Sequence, residues 1–406
     1  MGKKRWGLLV DWKKWLLLML GIGLSRLGDF IYLVAINVLV LQLTGSPAAV
    51  AGLWIMVPLA SIVTKFWAGT LIDRLNQRNI MIGAAVARAL IIAVIPLTSS
   101  VLVIYLLLFC LSIAGSFFEP ASTTYTTRMI PKENRKKYNS YLSLVTSSAF
   151  IIGPAIAGAL LVITNAAATM WLTSATFILS ALLMQFLPRY QLPQAAVFTL
   201  DTFKNDWKEV LHFSKNYPYF IVIFLMNSLI MVLAIGMDAQ EVVFIQNVLG
   251  LSVKDYGLLT SIAGIGSIVG AFILSAFSRS LSQRLLIGIG FLCISVGYLI
   301  YAFSYSFWSC AVGFIIIGLF NTFSNAGILT FFQNNAPIHM IGRLSSAIGT
   351  LQSLLQIAFI LVIGFSGELF PLRQIIIFFS FFTFMISLTL VFLVMKPSQK
   401  QLFLDS

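Results

Sequence analysis

Seven ionisable side chains interrupt otherwise apolar sequence: Arg26, Asp29, Lys65, Arg88, Glu119, Asp238 and Glu241. A carboxylate in such surroundings takes up and releases protons, and a basic group beside it holds the ionised form until something disturbs the balance. Arg26 and Asp29 are three residues apart and so share one helical face. They are either a self-neutralising packing pair or a titratable Asp29 with Arg26 or Arg88 as its counter-charge. Asp238 and Glu241 have the same spacing but the same sign, which gives either a solvated face or a pair that titrates together and attracts cations. Glu119 precedes Pro120, whose ring breaks the helical hydrogen-bond ladder and frees a carbonyl. A bend beside a polar cavity is expected there, with Glu119 as a second proton carrier or as a structural partner of Arg88 or Lys65.

The elements that must position these groups follow from composition. Hydrophobic residues make up 59% of the chain, charged residues only 10%, and the mean hydropathy is +0.96. Apolar runs of about 20 residues, the length that crosses a bilayer, recur from end to end. They are unbroken, unlike the alternating segments of a membrane β-barrel. Hydropathy predicts twelve helices at 15–43, 48–72, 79–97, 101–128, 139–163, 168–188, 217–246, 253–278, 285–303, 307–333, 344–366 and 374–395. The basic amino terminus leads into a segment longer than the roughly 7–15 residues of a signal core, with no A-x-A-like site, and reads as the first permanent span. A charge at the centre of a bilayer costs at least about 2.5–3.5 kcal/mol, so each of the seven groups is a functional candidate.

Charge sets the expected orientation. Of 26 Lys and Arg, 21 fall in the amino terminus, the even-numbered connections and the carboxyl tail, two (Lys254 and Arg373) fall on the other side, and three lie inside spans. The positive-inside rule then places both termini in the cytoplasm of a cell-membrane protein. The net charge of +13 is accounted for by loops facing anionic lipid, so no nucleic-acid partner is needed. The expected organisation is a six-helix bundle over 1–188, a cytoplasmic linker over 189–216, and a second bundle with a tail over 217–406. In the linker, Leu200, Phe203, Trp207, Val210 and Leu211 recur at helical spacing and predict a surface amphipathic helix.

The two halves align. Gln77-Arg78 matches Gln283-Arg284 at an offset of 206, and the same offset takes Phe117 to Phe323, Pro131 to Pro337 and Ser140 to Ser346. Four matches at one offset predict a six-plus-six duplication about a pseudo-twofold axis along the membrane normal.

GTLIDRLNQR, from Gly69 to Arg78, resembles the G-x-L-x-D-R-x-G-R-R/K element of the major facilitator superfamily, with Gly69, Leu71, Asp73, Arg74 and Arg78 matching. AFIIGPAIAG, from Ala149 to Gly158, is similar to its antiporter motif G-x-x-x-G-P-x-x-G-G at Gly153, Pro154 and Gly158. Small residues there also let helices pack closely. Three stretches, LGDFIYLVAINVLVLQLTGSPAAVAG, GTLIDR and FFEPASTTYTTRMIPKENR, look most like the macrolide-efflux and multidrug branch. The resemblance implies an all-α membrane protein of twelve helices whose spans one, four, seven and ten line a cavity. It implies proton coupling at Asp29, Glu119, Asp238 and Glu241, and substrate contacts at Arg26, Tyr32, Asn37, Arg88, Asn227, Asn321 and Asn325. Tyr32, Trp54, Phe224, Phe323 and Phe331 would supply aromatic walls. Gly69, Asp73, Arg74 and Arg78 would form a conformational latch whose loss shifts populations rather than binding.

Other chemistry is excluded or unsupported. Cys110, Cys293 and Cys310 have no metal or redox spacing, His212 and His339 fall in expected loops, and no Walker A element is present. The expected energy source is a proton gradient, where each charge moved through about 100 mV is worth roughly 2.3 kcal/mol. The expectation is a monomeric, cofactor-free exporter, not an enzyme, whose partners are an amphipathic small molecule, protons and the bilayer. A siderophore or other anionic-metabolite exporter, a lysolipid flippase and a non-transporting receptor are the rival readings.

Overall fold

The computed structural model describes residues 2–65, 75–189, 212–277, 281–337, 341–397 and 402–403. Among these, twelve helices are long and apolar enough to cross a membrane, and there is no strand. They are α1 (Gly2–Thr44), α2 (Pro47–Lys65), α3 (Gln77–Val94), α4 (Val101–Met129), α5 (Lys132–Ile163), α6 (Ala166–Gln185), α7 (Pro218–Asp238), α8 (Val253–Ala276), α9 (Gln283–Ala302), α10 (Phe307–Asn335), α11 (Ile341–Leu369) and α12 (Leu372–Met395). Helices satisfy every backbone group internally, as a chain this apolar requires in lipid. The polar residues between runs stop and start them. Gly45, at φ +64°, ends α1 in a conformation that side chains resist, and Asn76, Asn165, Ser252 and Ser306 cap the helices that follow them. The expected latch residues Gly69, Asp73 and Arg74, the linker helix residues and His339 lie outside the described residues. His212, expected in a loop, belongs to a helical turn over 212–216.

Span seven differs from the continuous helix expected over 217–246. α7 ends at Asp238, the chain turns at Ala239 and Gln240, and Glu241–Val243 and a π-helical segment Phe244–Val248 follow. At the turn the Gln240 amide donates to Pro47 O at 3.2 Å, an interaction that no hydropathy window contains. Asp238 and Glu241 are therefore separated by a break and do not share one helical face.

Contacts divide the chain into one unit of Met1–Thr44 with Leu59–Val197 and another of Gly45–Pro58 with Phe198–Ser406. Within the first unit, α1 packs on α5 and α6, and α3 packs on α4 and α6. Within the second, α7 packs on α11 and α12, and α9 packs on α10 and α12. The pairing scheme repeats with a shift of six helices. Side chains repeat with it: Arg78 Nε donates to Met184 O at 3.1 Å at the end of α6, and Arg284 Nη2 donates to Lys396 O at 3.2 Å just past the end of α12. Gln77 accepts from Arg128 of α4 at 3.0 Å, and Gln283 donates to Gly327 O of α10 at 3.4 Å.

The Gly153 motif sits where α5 meets α1. A Cβ on Gly153 would lie 2.6 Å from Phe30 Cβ and 3.5 Å from Leu27 O, whereas one on Gly83 of α3 would meet nothing within 4 Å. Atoms so close to the backbone do not yield, so the glycine sets the α1–α5 spacing. Gly153→Ala should therefore destabilise the purified protein by about 1–3 kcal/mol in unfolding measured in detergent. Gly83→Ala should leave stability unchanged or raise it by up to about 1 kcal/mol. Equal behaviour of the two variants would remove the packing role.

Candidate functional site

Four of the seven ionisable candidates come together in the first unit. Arg88 of α3 is 6% exposed and pairs with Asp29 of α1; Arg26, one turn earlier on α1, pairs with Glu119 of α4. Arg26 Nη1 also lies 3.9 Å from Asp29 Oδ2, which joins the two pairs into one network of two positive and two negative charges. Glu119 thus takes Arg26 as partner rather than the Arg88 or Lys65 expected, because Arg88 is already committed to Asp29.

Burial of Arg88 is supported from several sides. Its Nη1 donates to Ser25 Oγ at 3.3 Å, and its guanidinium lies 4.3 Å from the centre of the Phe177 ring of α6. Its Nε meets no acceptor among the described residues. The pair is held but is one hydrogen bond short of full satisfaction, a costly state for a buried donor.

Exposure grades outward through the network. Arg88 is buried, Asp29 and Arg26 are 26% and 34% exposed, and Glu119 is 63% exposed. Arg26 and Glu119 stand on the wall of a cavity of about 580 Å³ built by α1, α4 and α5. Its lining is mixed: Ile22, Phe30, Leu142 and Phe150 are apolar or aromatic, whereas Ser122, Thr123, Thr126, Thr127, Asn139, Ser143, Thr146 and Ser147 carry hydroxyls or an amide.

Other expected site residues lie elsewhere. Tyr32 and Asn37, both of α1, are not among the residues lining this cavity, and Asn37 is 1% exposed. Arg88 reaches the cavity only through the network. Asn321 and Asn325 of α10 bond to each other, with Nδ2 of Asn325 2.9 Å from Oδ1 of Asn321, and Asn227 is half-buried on α7. Phe331 is buried in an aromatic stack with Phe220 at 5.5 Å. Arg78 is spent on the α6 carbonyls, and its latch partners lie outside the described residues.

In the second unit, Tyr298 of α9 donates to Asp238 Oδ1 at 2.7 Å. Glu241 stands within electrostatic range of Asp238 and of the buried Tyr301. Tyr298 was missed because a tyrosine in an apolar run reads as packing. The hydroxyl run Ser122–Thr127 was in view, but nothing in its periodicity says which face lines a cavity.

Removing one member of a buried ion pair strands the other. Asp29→Asn should cost about 3 kcal/mol in unfolding of the purified protein, discounted from the fully buried case for the partial exposure of Asp29. Combining it with Arg88→Gln should cost clearly less than the sum of the two single changes. Strict additivity in this double-mutant cycle would remove the pair.

Comparison with known proteins places this geometry in a family. The profile of the Major Facilitator Superfamily matches residues 18–359. The chain is 28% identical over 258 residues to the uncharacterised transporter YfiS of Bacillus subtilis, an alignment covering 62% of this chain and 61% of that one. It is 25% identical over 342 residues to the multidrug efflux pump Tap of Mycolicibacterium fortuitum, covering 80% and 82%. The macrolide efflux protein A of Enterococcus faecalis matches over 97 residues at 32% identity, covering 23% and 30%. Among solved structures, a variant of the nucleoside transporter NupG superposes with a TM-score of 0.81 at 12% identity, covering 94% of this chain and 99% of that one. A bacterial homologue of the human lysosomal transporter Spinster gives 0.73 at 16%, covering 97% of each. With twelve helices among its described residues long and apolar enough to cross a membrane, this chain is a multi-pass membrane protein that belongs to the Major Facilitator Superfamily of transporters.

Proposed function

We propose that the protein is a proton-coupled exporter of amphipathic small molecules, working by alternating access in the cell membrane with both termini cytoplasmic. The observation that carries this reading is the cavity wall of the first unit, where the exposed Glu119 is held by Arg26 and Arg26 is linked through Asp29 to the buried Arg88. Likeness to the multidrug efflux pump Tap and to macrolide efflux protein A supports the direction and the substrate class.

The network is neutral with both carboxylates ionised. A proton arriving at Glu119 releases Arg26 toward Asp29, and a substrate that draws on Glu119 from the cavity competes with that proton. Proton and substrate thus exclude each other at one carboxylate, which is the requirement for exchange. Asp29 serves as the relay to Arg88. Asp238 and Glu241, flanking the break after α7, are the proton carriers of the second unit, with Tyr298 donating to the first of them.

The test is dye export by purified protein in proteoliposomes under an imposed pH gradient. Wild type should accumulate rhodamine 123 against its gradient, and Glu119→Gln should lose at least about tenfold in gradient-driven rate while still binding the dye. Asp29→Asn and the double change Asp238→Asn/Glu241→Gln rank the remaining carboxylates. Dye movement indifferent to the pH gradient would refute proton coupling, and anionic metabolites and labelled lysolipid would then be tried.

A further inference from the structure

The wall of the first-unit cavity is not chemically even-handed. Ser122 Oγ donates to Glu119 O at 2.8 Å, Thr123 Oγ1 donates to the same carbonyl at 3.1 Å, Thr127 Oγ1 donates to Thr123 O at 2.9 Å, and Thr146 Oγ1 donates to Ser143 O at 3.1 Å. All four side chains line the cavity. A hydroxyl has one proton and two lone pairs, so a hydroxyl that gives its proton to its own helix presents only acceptor capacity to a ligand. Two of these bonds converge on the Glu119 carbonyl, at the turn where Pro120 has no N–H to offer α4. Glu119 itself adds a carboxylate, which accepts only, and Arg26 is occupied by two carboxylates. Phe30 and Phe150, with ring centres 4.9 Å apart, supply an aromatic surface beside this acceptor wall.

The geometry points to an acceptor-presenting strip on this wall, at Glu119, Ser122, Thr123, Thr127 and Thr146, that favours ligands carrying N–H or O–H donors on an apolar or aromatic body over fully alkylated cations, with Asn139 and the remaining hydroxyls leaving donors elsewhere on the wall. The inference rests on the export reading for its biological sense but concerns binding alone. At these four hydroxyls a ligand acceptor must pull a proton away from a helix carbonyl, whereas a ligand donor adds a bond to an oxygen that is already oriented. Positive charge is not the criterion: a permanently charged ion with no donor is attracted by Glu119 but forms no hydrogen bond with the wall oxygens, and so gains less than a cation that carries N–H groups.

Two dyes separate donor count from charge. Rhodamine 123 and tetramethylrhodamine methyl ester share a xanthene core, an ester and a single positive charge, but the first bears amino N–H groups and the second has each of them methylated. Fluorescence anisotropy with purified protein in detergent should give tighter binding of rhodamine 123 by about tenfold. Thr123→Val, isosteric and without the oxygen, should weaken rhodamine 123 by about fivefold, the scale of one hydrogen bond, and leave the methylated dye unchanged. Equal affinity for the two dyes, or an equal loss for both in Thr123→Val, overturns the inference. Export measured in parallel keeps the readings apart: discrimination in binding without gradient-driven export removes the exporter reading and leaves donor selectivity standing, and export of both dyes at equal affinity does the reverse.

Discussion

Pairing of Asp29 with Arg88 is the constraint on which the first unit depends. An isolated guanidinium in an apolar bundle is far too costly to keep, and Arg88 survives there because α1 brings a carboxylate, α6 brings the Phe177 ring and Ser25 brings an oxygen. The cost of breaking that arrangement ties α1 to α3 in register. With α1 so fixed, Arg26 one turn away meets Glu119, and the charge balance of a buried pair becomes linked to a carboxylate open to the cavity. Small residues do the mechanical part: Gly153 brings α5 against α1 at a distance that a methyl group would prevent.

The repeat explains how the scaffold and the chemistry parted. Helix pairings and the arginine caps on the sixth helix of each unit recur at the offset of 206. The ionisable network does not: Arg26, Asp29, Arg88 and Glu119 correspond to Val232, Ile235, Ile294 and Asn325. The hydroxyls at 122, 123 and 127 correspond to Ile328, Leu329 and Gln333. The second unit carries its carboxylates instead beside a break in its first helix, with a tyrosine donor on Asp238. A duplicated frame thus holds two unlike polar sites, a charge-balanced network in the first unit and a pair of like-charged acids in the second.

Much of this was legible in the sequence. The bilayer demands long apolar helices, so all twelve spans follow from hydropathy, and the offset of Gln77-Arg78 from Gln283-Arg284 foretells the repeated pairing. That Arg26 and Asp29 are neighbours follows from helical spacing. Partner choice between helices does not, because hydropathy says nothing of how one helix is rotated against the next; Glu119 therefore came with two expected partners, and Arg26 was neither. The break after Asp238 was hidden because Ala239–Val248 remains apolar enough to continue a span. The serines and threonines from 122 to 127 carry no periodicity that tells which of them face a cavity.

Direct proof of a shared proton and substrate site requires counting protons without transport. Purified protein in weakly buffered detergent, titrated with rhodamine 123 while a pH indicator is followed, measures protons exchanged per dye bound. The account predicts that dye binding to the proton-loaded protein releases protons to the medium and that Glu119→Gln binds dye with that release abolished. Dye binding with no proton exchange in the wild type, or undiminished release in Glu119→Gln, would contradict it.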